Sequence, residues 1–328
     1  MNCNSTPPNQ SPTHEHRTTA RTSSRLPVRL AGWVLAVGLL AYVVREALRD
    51  SSQLLSVQWT IRWWLLEASL LGLVVHFALC GLLWIRIVRL LGAPLGLRNG
   101  CRIWAVSQFG RYVPGKVWML AGRAYLADRF GVRLALSLAS MALEIAFIAG
   151  SGLLTGSLLM LAFSDPQRRS IAIVAGACGV ALLAGLHPKL IKLALRLLHR
   201  VRRRAIPIEE QATYAHYPWS VLLGYCGVWL LFGFWFASFV ASLCPIPIAQ
   251  WPQLGAAIVA AWLLGFFSMV TPAGLGVREA SLVFLLQPLL SPGVASGVAL
   301  ASRLWLTAGE LLFIALAVLL ARPHSGPR

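Results

Sequence analysis

Seven charged side chains stand inside or beside stretches that are otherwise apolar enough for a lipid bilayer: Lys116, Arg123, Glu144, Arg278, Glu279, Arg303 and Glu310. A charge at membrane depth is costly, so such a residue faces protein or trapped water and marks a partner or a function. Lys116, Arg123 and Arg278 are of the types that hold phosphate, lysine as a point charge and arginine through a planar fork that grips two oxygens at once. Set in a water-lined cavity, they would offset the penalty that a phosphate-bearing group meets at that depth. The competing reading for Lys116 and Arg123 is that they snorkel to the membrane surface. Glu144 lies near the middle of an apolar run and is expected to face the same interior and pair with one of the cations. Arg303 and Glu310 share a helical face two turns apart, as a gate or as a structural ion-pair stripe. Glu279, next to Arg278, can tune that charge or respond to protons.

Other chemistries find little support. The chain has no paired-carboxylate motif, no D-x-D and no glycine-rich nucleotide loop, so no catalytic group is assigned. Its six cysteines are scattered without C-x-x-C or metal-ligand spacing, and neither a metal nor a cofactor is expected. With 57% hydrophobic and 12% charged residues and a mean hydropathy of +0.69, the sequence is that of an integral membrane protein. The net charge of +18 resides in the connections between apolar runs. Retention of positive charge on the cytoplasmic side and attraction to anionic lipid explain it better than nucleic acid, which is not an expected partner.

The elements that must position these charges are interrupted helices. Residues 109–123 (FGRYVPGKVWMLAGR) break at Pro114 and Gly115, and residues 269–280 (MVTPAGLGVREA) break at Pro272, Gly274 and Gly276. In hydrocarbon each free backbone group costs several kcal/mol, so a break is tolerated only where protein or a wet cavity covers it. Paired breaks in separate halves of a chain point to a transport site between inverted repeats.

Charge bias and apolar runs predict an all-α polytopic membrane protein. Six spans fall at residues 30–44, 63–85, 134–163, 171–186, 219–243 and 296–320, with two re-entrant broken hairpins at 103–126 and 253–288. The second span, first hairpin and third span run in the opposite sense to the fifth span, second hairpin and sixth span, an inverted repeat. Trp63, Trp64 and Trp84 are expected as interfacial anchors. Arg168 and Arg169 violate the charge bias in an outer loop. Residues 1–25 read as a disordered cytoplasmic tail, 26–321 as the transmembrane domain, 188–205 as a basic amphipathic cytoplasmic helix between the halves, and 322–328 as a second cytoplasmic tail. Both termini are thus cytoplasmic, in the inner (plasma) membrane of the cell.

The Y-x-P-G-K core followed by Arg123 and a G-V pair at residues 131–132, together with T-P-A-G-L-G-V-R-E at 271–279, resembles the flippase-like transmembrane region of the lysylphosphatidylglycerol synthase family. The resemblance covers roughly residues 26–321 and points to Pro114, Gly115, Lys116, Arg123, Pro272, Gly274, Gly276, Arg278 and Glu279. It implies movement of a polar-headed lipid between leaflets, whether anionic, aminoacylated, glycosylated or polyprenyl-linked, with a synthase or glycosyltransferase as a possible partner. The 328 residues carry no aminoacyl-transferring segment, so transport without synthesis is the expectation. A membrane-embedded transferase acting on a lipid-linked sugar, and a non-catalytic membrane subunit, are the alternatives.

Overall fold

Apolar stretches rich in leucine and alanine satisfy their backbone hydrogen bonds internally when helical, as hydrocarbon demands of any spanning segment. The computed structural model describes residues 61–111, 117–190, 216–268 and 274–320, together with 38, 41 and 45; no strand occurs among the described residues. The helices are α1 (Trp63–Leu90), α2 (Leu97–Ser107), α3 (Val117–Asp128), α4 (Leu134–Met160), α5 (Pro166–Gly185), α6 (Trp219–Leu243), α7 (Trp251–Phe267), α8 (Val277–Leu286) and α9 (Pro292–Leu320). Short 3₁₀ turns, Gln108–Arg111 and Ile248–Gln250, extend α2 and precede α7.

Six of these elements are long and apolar enough to cross a membrane: α1, α4, α5, α6, Ile248–Phe267 and α9. Five coincide with expected spans. The sixth is the first limb of the segment read from sequence as a re-entrant hairpin. It carries 20 residues, and at 1.5 Å per residue this reaches about 30 Å, the thickness of the hydrocarbon core. All of the expected span at 30–44 except residues 38 and 41, both tails and most of the basic helix at 188–205 lie outside the described residues.

α1 and α6 form the centre and run antiparallel. The Arg62 N–H donates to the Ser242 carbonyl at 2.9 Å at one end of the pair, and Arg86 Nε donates to Ser220 Oγ at 2.9 Å at the other. Midway, the His76 ring meets the carbonyl of Val228 at 3.2 Å, 152 residues away. The carbonyl only accepts, so Nδ1 carries the proton. Gly72 lies against the Trp235 indole and Gly224 against Leu83. Gly72 and Gly224 are separated by that same interval, as are Leu83 and Trp235. Exchanging the helices therefore carries one contact onto the other and the His76 contact onto itself, which puts a pseudo-twofold beside His76. Both glycines are needed for space: a Cβ on Gly72 would sit 2.1 Å from the Trp235 ring, and one on Gly224 2.4 Å from Leu83. Between helices in lipid, such close packing takes the place of the hydrophobic effect.

The other contacts obey the same exchange. α4 packs on α6 as α9 packs on α1; α7 packs on α4 as α2 packs on α9; α3 lies on α4 as α8 lies on α9. An indole closes each of the first two equivalents, with Trp229 Nε1 donating to the Ile148 carbonyl and Trp305 Nε1 to Ser69 Oγ, both at 3.1 Å. α5 stands outside this scheme against α4.

The outer surface is apolar, as expected of a lipid-facing one: Leu223, Leu304, Phe284, Ile173 and Leu320 are exposed. Trp63 and Trp64 are exposed at the start of α1. Trp84 departs from the expected interfacial anchor and is fully buried, because it faces α4 rather than lipid. Arg168 and Arg169 fall in the first turn of α5 and not in a loop, since Asp165 caps the helix and Pro166 starts it. Arg168 pairs with Asp165 at 3.3 Å, and Arg169 Nε donates to the Phe163 carbonyl at 3.0 Å.

Candidate functional site

Each half carries a helical hairpin whose second limb is bound by an ion pair to the helix that follows. In the first hairpin the limbs are α2 with its 3₁₀ extension and α3, and residues 112–116 between them are not among the described residues. Pro114, Gly115 and Lys116 thus lie outside the described residues. The limbs touch where Ser107 and Trp104 of α2 meet Arg123 of α3.

Arg123 is only 1% exposed. Its Nη1 donates to Glu144 Oε2 on α4, and its Nε donates to Ser107 Oγ at 3.0 Å. The guanidinium carbon lies 5.1 Å from the centre of the Trp84 ring and 5.6 Å from that of Trp104. Indole faces attract a cation, so the two rings add to the carboxylate's hold. Trp104 Nε1 donates to the other oxygen of Glu144 at 2.8 Å, and Ser107 Oγ donates to the Trp104 carbonyl at 2.7 Å. Trp84 Nε1 donates to Ser140 Oγ at 3.1 Å, whose hydroxyl continues to the Ser137 carbonyl. Four helices thus converge on one neutralised charge pair. A buried pair is tolerable only when the remaining donors and acceptors are also satisfied, and here most are.

In the second hairpin α7 ends at Phe267 and the chain returns as α8. Residues 269–273, with Pro272, lie outside the described residues. Gly274 and Gly276 both have φ in the left-handed region, +71° and +79°. A Cβ on Gly274 would stand 2.6 Å from the Gly265 carbonyl oxygen, so α7 and the returning chain approach backbone to backbone. Arg278 follows on the same surface, with its Cβ against Gly265, and is half-buried. Glu279, 2% exposed, accepts from the Gly276 N–H at 2.8 Å, which caps α8. Its second oxygen accepts from Arg303 Nη1 on α9 at 3.0 Å. Arg303 thus reaches Glu279 on the neighbouring helix, while Glu310, two turns along α9, is buried.

The two arrangements have exchanged signs. In the first half the hairpin limb supplies the cation and the following helix the carboxylate; in the second the limb supplies the carboxylate and the following helix the cation. Both pairs join equivalent helices. The structure thereby brings together Arg123 with Glu144 and Glu279 with Arg303, and places Arg278 next to the second pair in sequence. Among the described residues no three His, Cys, Asp or Glu side chains group as metal ligands.

No family model matches the chain, and no curated protein matches it either.

The residues that sequence reasoning passed over are Trp104, Ser107 and Ser140, and Trp84, expected at the interface, joins them in the interior. A signal existed for Ser140: Ser137, Ser140 and Glu144 recur at three- and four-residue spacing, a polar stripe on an otherwise apolar helix. Burial of the stripe follows from where α1 and α2 pack, which periodicity alone does not supply. Chemically the site can hold charge inside the helical bundle without exposing it, and in the second hairpin it sets the half-buried Arg278 beside the pair.

Proposed function

We propose that the chain is a lipid transporter that moves a polar-headed lipid between leaflets, in the inner membrane of a cell and with both termini cytoplasmic. The observation that carries this reading is the pair of hairpins, one in each of two antiparallel halves, each locked to its neighbouring helix by an ion pair at the interior. Interrupted helices at a repeat interface are where transporters bind polar cargo, because the break frees backbone donors and shelters charge. Lys116 and Arg278, at the breaks, are the proposed contacts for an anionic head group. Arg123 is neutralised by Glu144 and serves in this account as a positioning residue that fixes the first hairpin. Rocking of one half against the other about the α1 and α6 pair would open the breaks to one leaflet and then the other. The resemblance to the flippase-like region of the lysylphosphatidylglycerol synthase family supports the same class of cargo, with a synthase or glycosyltransferase as the proposed supplier of lipid.

Reconstitution tests this reading. The purified protein in liposomes containing fluorescent phosphatidylglycerol should let a membrane-impermeant quencher bleach lipid beyond the outer leaflet, with the recovered lipid chemically unchanged. A modified lipid would support the transferase alternative. Bleaching that matches protein-free liposomes would refute transport of this lipid class.

A further inference from the structure

A groove of about 390 Å³ opens where the end of α1 meets the start of α2, lined by Leu82, Leu83, Ile85, Leu90 and Leu97 and by Arg86 and Arg89. The arginines are three residues apart on one helical face, and both are exposed. Each guanidinium is held through its Nε, that of Arg86 by Ser220 Oγ at 2.9 Å and that of Arg89 by the Leu95 carbonyl at 2.8 Å. Anchoring at Nε fixes the plane of the fork and leaves the terminal amino groups for another acceptor. Among the described residues neither arginine forms an ion pair with a carboxylate. Leu82, one turn nearer the middle of α1, is exposed, as are Leu90 at its end and Leu97 at the start of α2, and α1 is of membrane-spanning length.

The geometry points to a binding site for an anionic phospholipid taken from the leaflet that this end of α1 faces, separate from the hairpins. The phosphate would lie between the two anchored forks, which match its oxygens in pairs, and an acyl chain would run along α1 over the exposed Leu82. Two fixed cations, neither ion-paired with a carboxylate among the described residues, supply the charge complementarity. The volume lies within the range of small-ligand sites. The occupant is a resident lipid that braces the junction of α1, α2 and α6, not the transported cargo.

Native mass spectrometry of the full chain in detergent, titrated with phosphatidylglycerol or with phosphatidylcholine, tests the site. Phosphatidylglycerol should bind the wild-type protein in preference, and the double variant Arg86→Gln/Arg89→Gln should lose about a hundredfold in affinity for it, about tenfold for each of the two charge-assisted contacts. Arg86→Lys/Arg89→Lys keeps the charge without the fork and should retain an intermediate affinity, which separates site chemistry from misfolding. Equal binding of the two lipids to wild-type protein, or unchanged phosphatidylglycerol binding in the glutamine variant, would overturn the site. The readout is lipid binding to the protein and not transport, so this result and that for the hairpins can fail independently.

Discussion

Glu144→Leu is expected to destabilise the protein by about 3–5 kcal/mol, the usual cost of stranding one partner of a buried ion pair. The side chains around it explain why the cost is high. Arg123 sits between Trp84 and Trp104 at 1% exposure, where neither ring can replace the carboxylate, and a guanidinium cannot shed its proton. The reverse variant, Arg123→Met, should cost less, because a stranded carboxyl can neutralise itself by taking a proton. The double variant Arg123→Met/Glu144→Leu leaves no stranded charge and should recover most of the loss, since apolar replacement of a buried pair is often neutral. Thermal unfolding of all four proteins in detergent measures this cycle. A double variant as unstable as Glu144→Leu would show that the pair is not what holds the hairpin. Stability recovered without transport would show instead that Arg123 touches the cargo.

Gly274→Ala should be the most disruptive single-methyl change in the second hairpin. Left-handed backbone costs a residue with a side chain about 1–2 kcal/mol, and φ there is +71°. The new Cβ would also stand 2.6 Å from the Gly265 carbonyl oxygen, and relief of such overpacking adds about 1–3 kcal/mol. The backbone crossing, not a movable side chain, must yield, so α8 should part from α7 and carry Arg278 with it. Gly122→Ala on α3 is the control, since nothing lies within 4 Å of a Cβ there and alanine favours helix over glycine. Transport in liposomes and unfolding in detergent should both fall for Gly274→Ala and hold for Gly122→Ala. Equal behaviour of the two variants would dissociate the crossing from function.

Much of the architecture was legible because hydrocarbon leaves few options. Apolar runs long enough to span had to be helices, and five of the six membrane-length elements begin and end near where hydropathy places them. The twofold pattern was readable only in outline, from breaks and charge bias. Its exact form depends on contacts such as Gly72 with Trp235, which no periodicity encodes. Side-chain roles were harder. Trp84 lies near a helix end, where indoles favour the interface, yet α4 covers it and Ser140 receives its N–H. Arg123 reads in sequence as a phosphate ligand, but its charge is met by a carboxylate 21 residues later once α3 folds onto α4. Likewise Arg303 and Glu310 share a face, but Arg303 turns to Glu279 on a different helix. In each case spacing along one helix was visible, and the partner came from packing between helices.

Arg278 joins the hairpin geometry to the proposed cargo, and its replacement tests that link most directly. Wild-type, Arg278→Gln and Arg278→Lys proteins are reconstituted at equal insertion in liposomes with fluorescent phosphatidylglycerol, and initial rates of lipid movement are compared. The glutamine variant should be about ten- to a hundredfold slower, the rate equivalent of losing charge-assisted hydrogen bonds worth about 1.5–3 kcal/mol in the rate-limiting step. The lysine variant should fall between the two. Identical rates for wild-type and glutamine proteins would contradict a head group carried past a fixed cation at the second break.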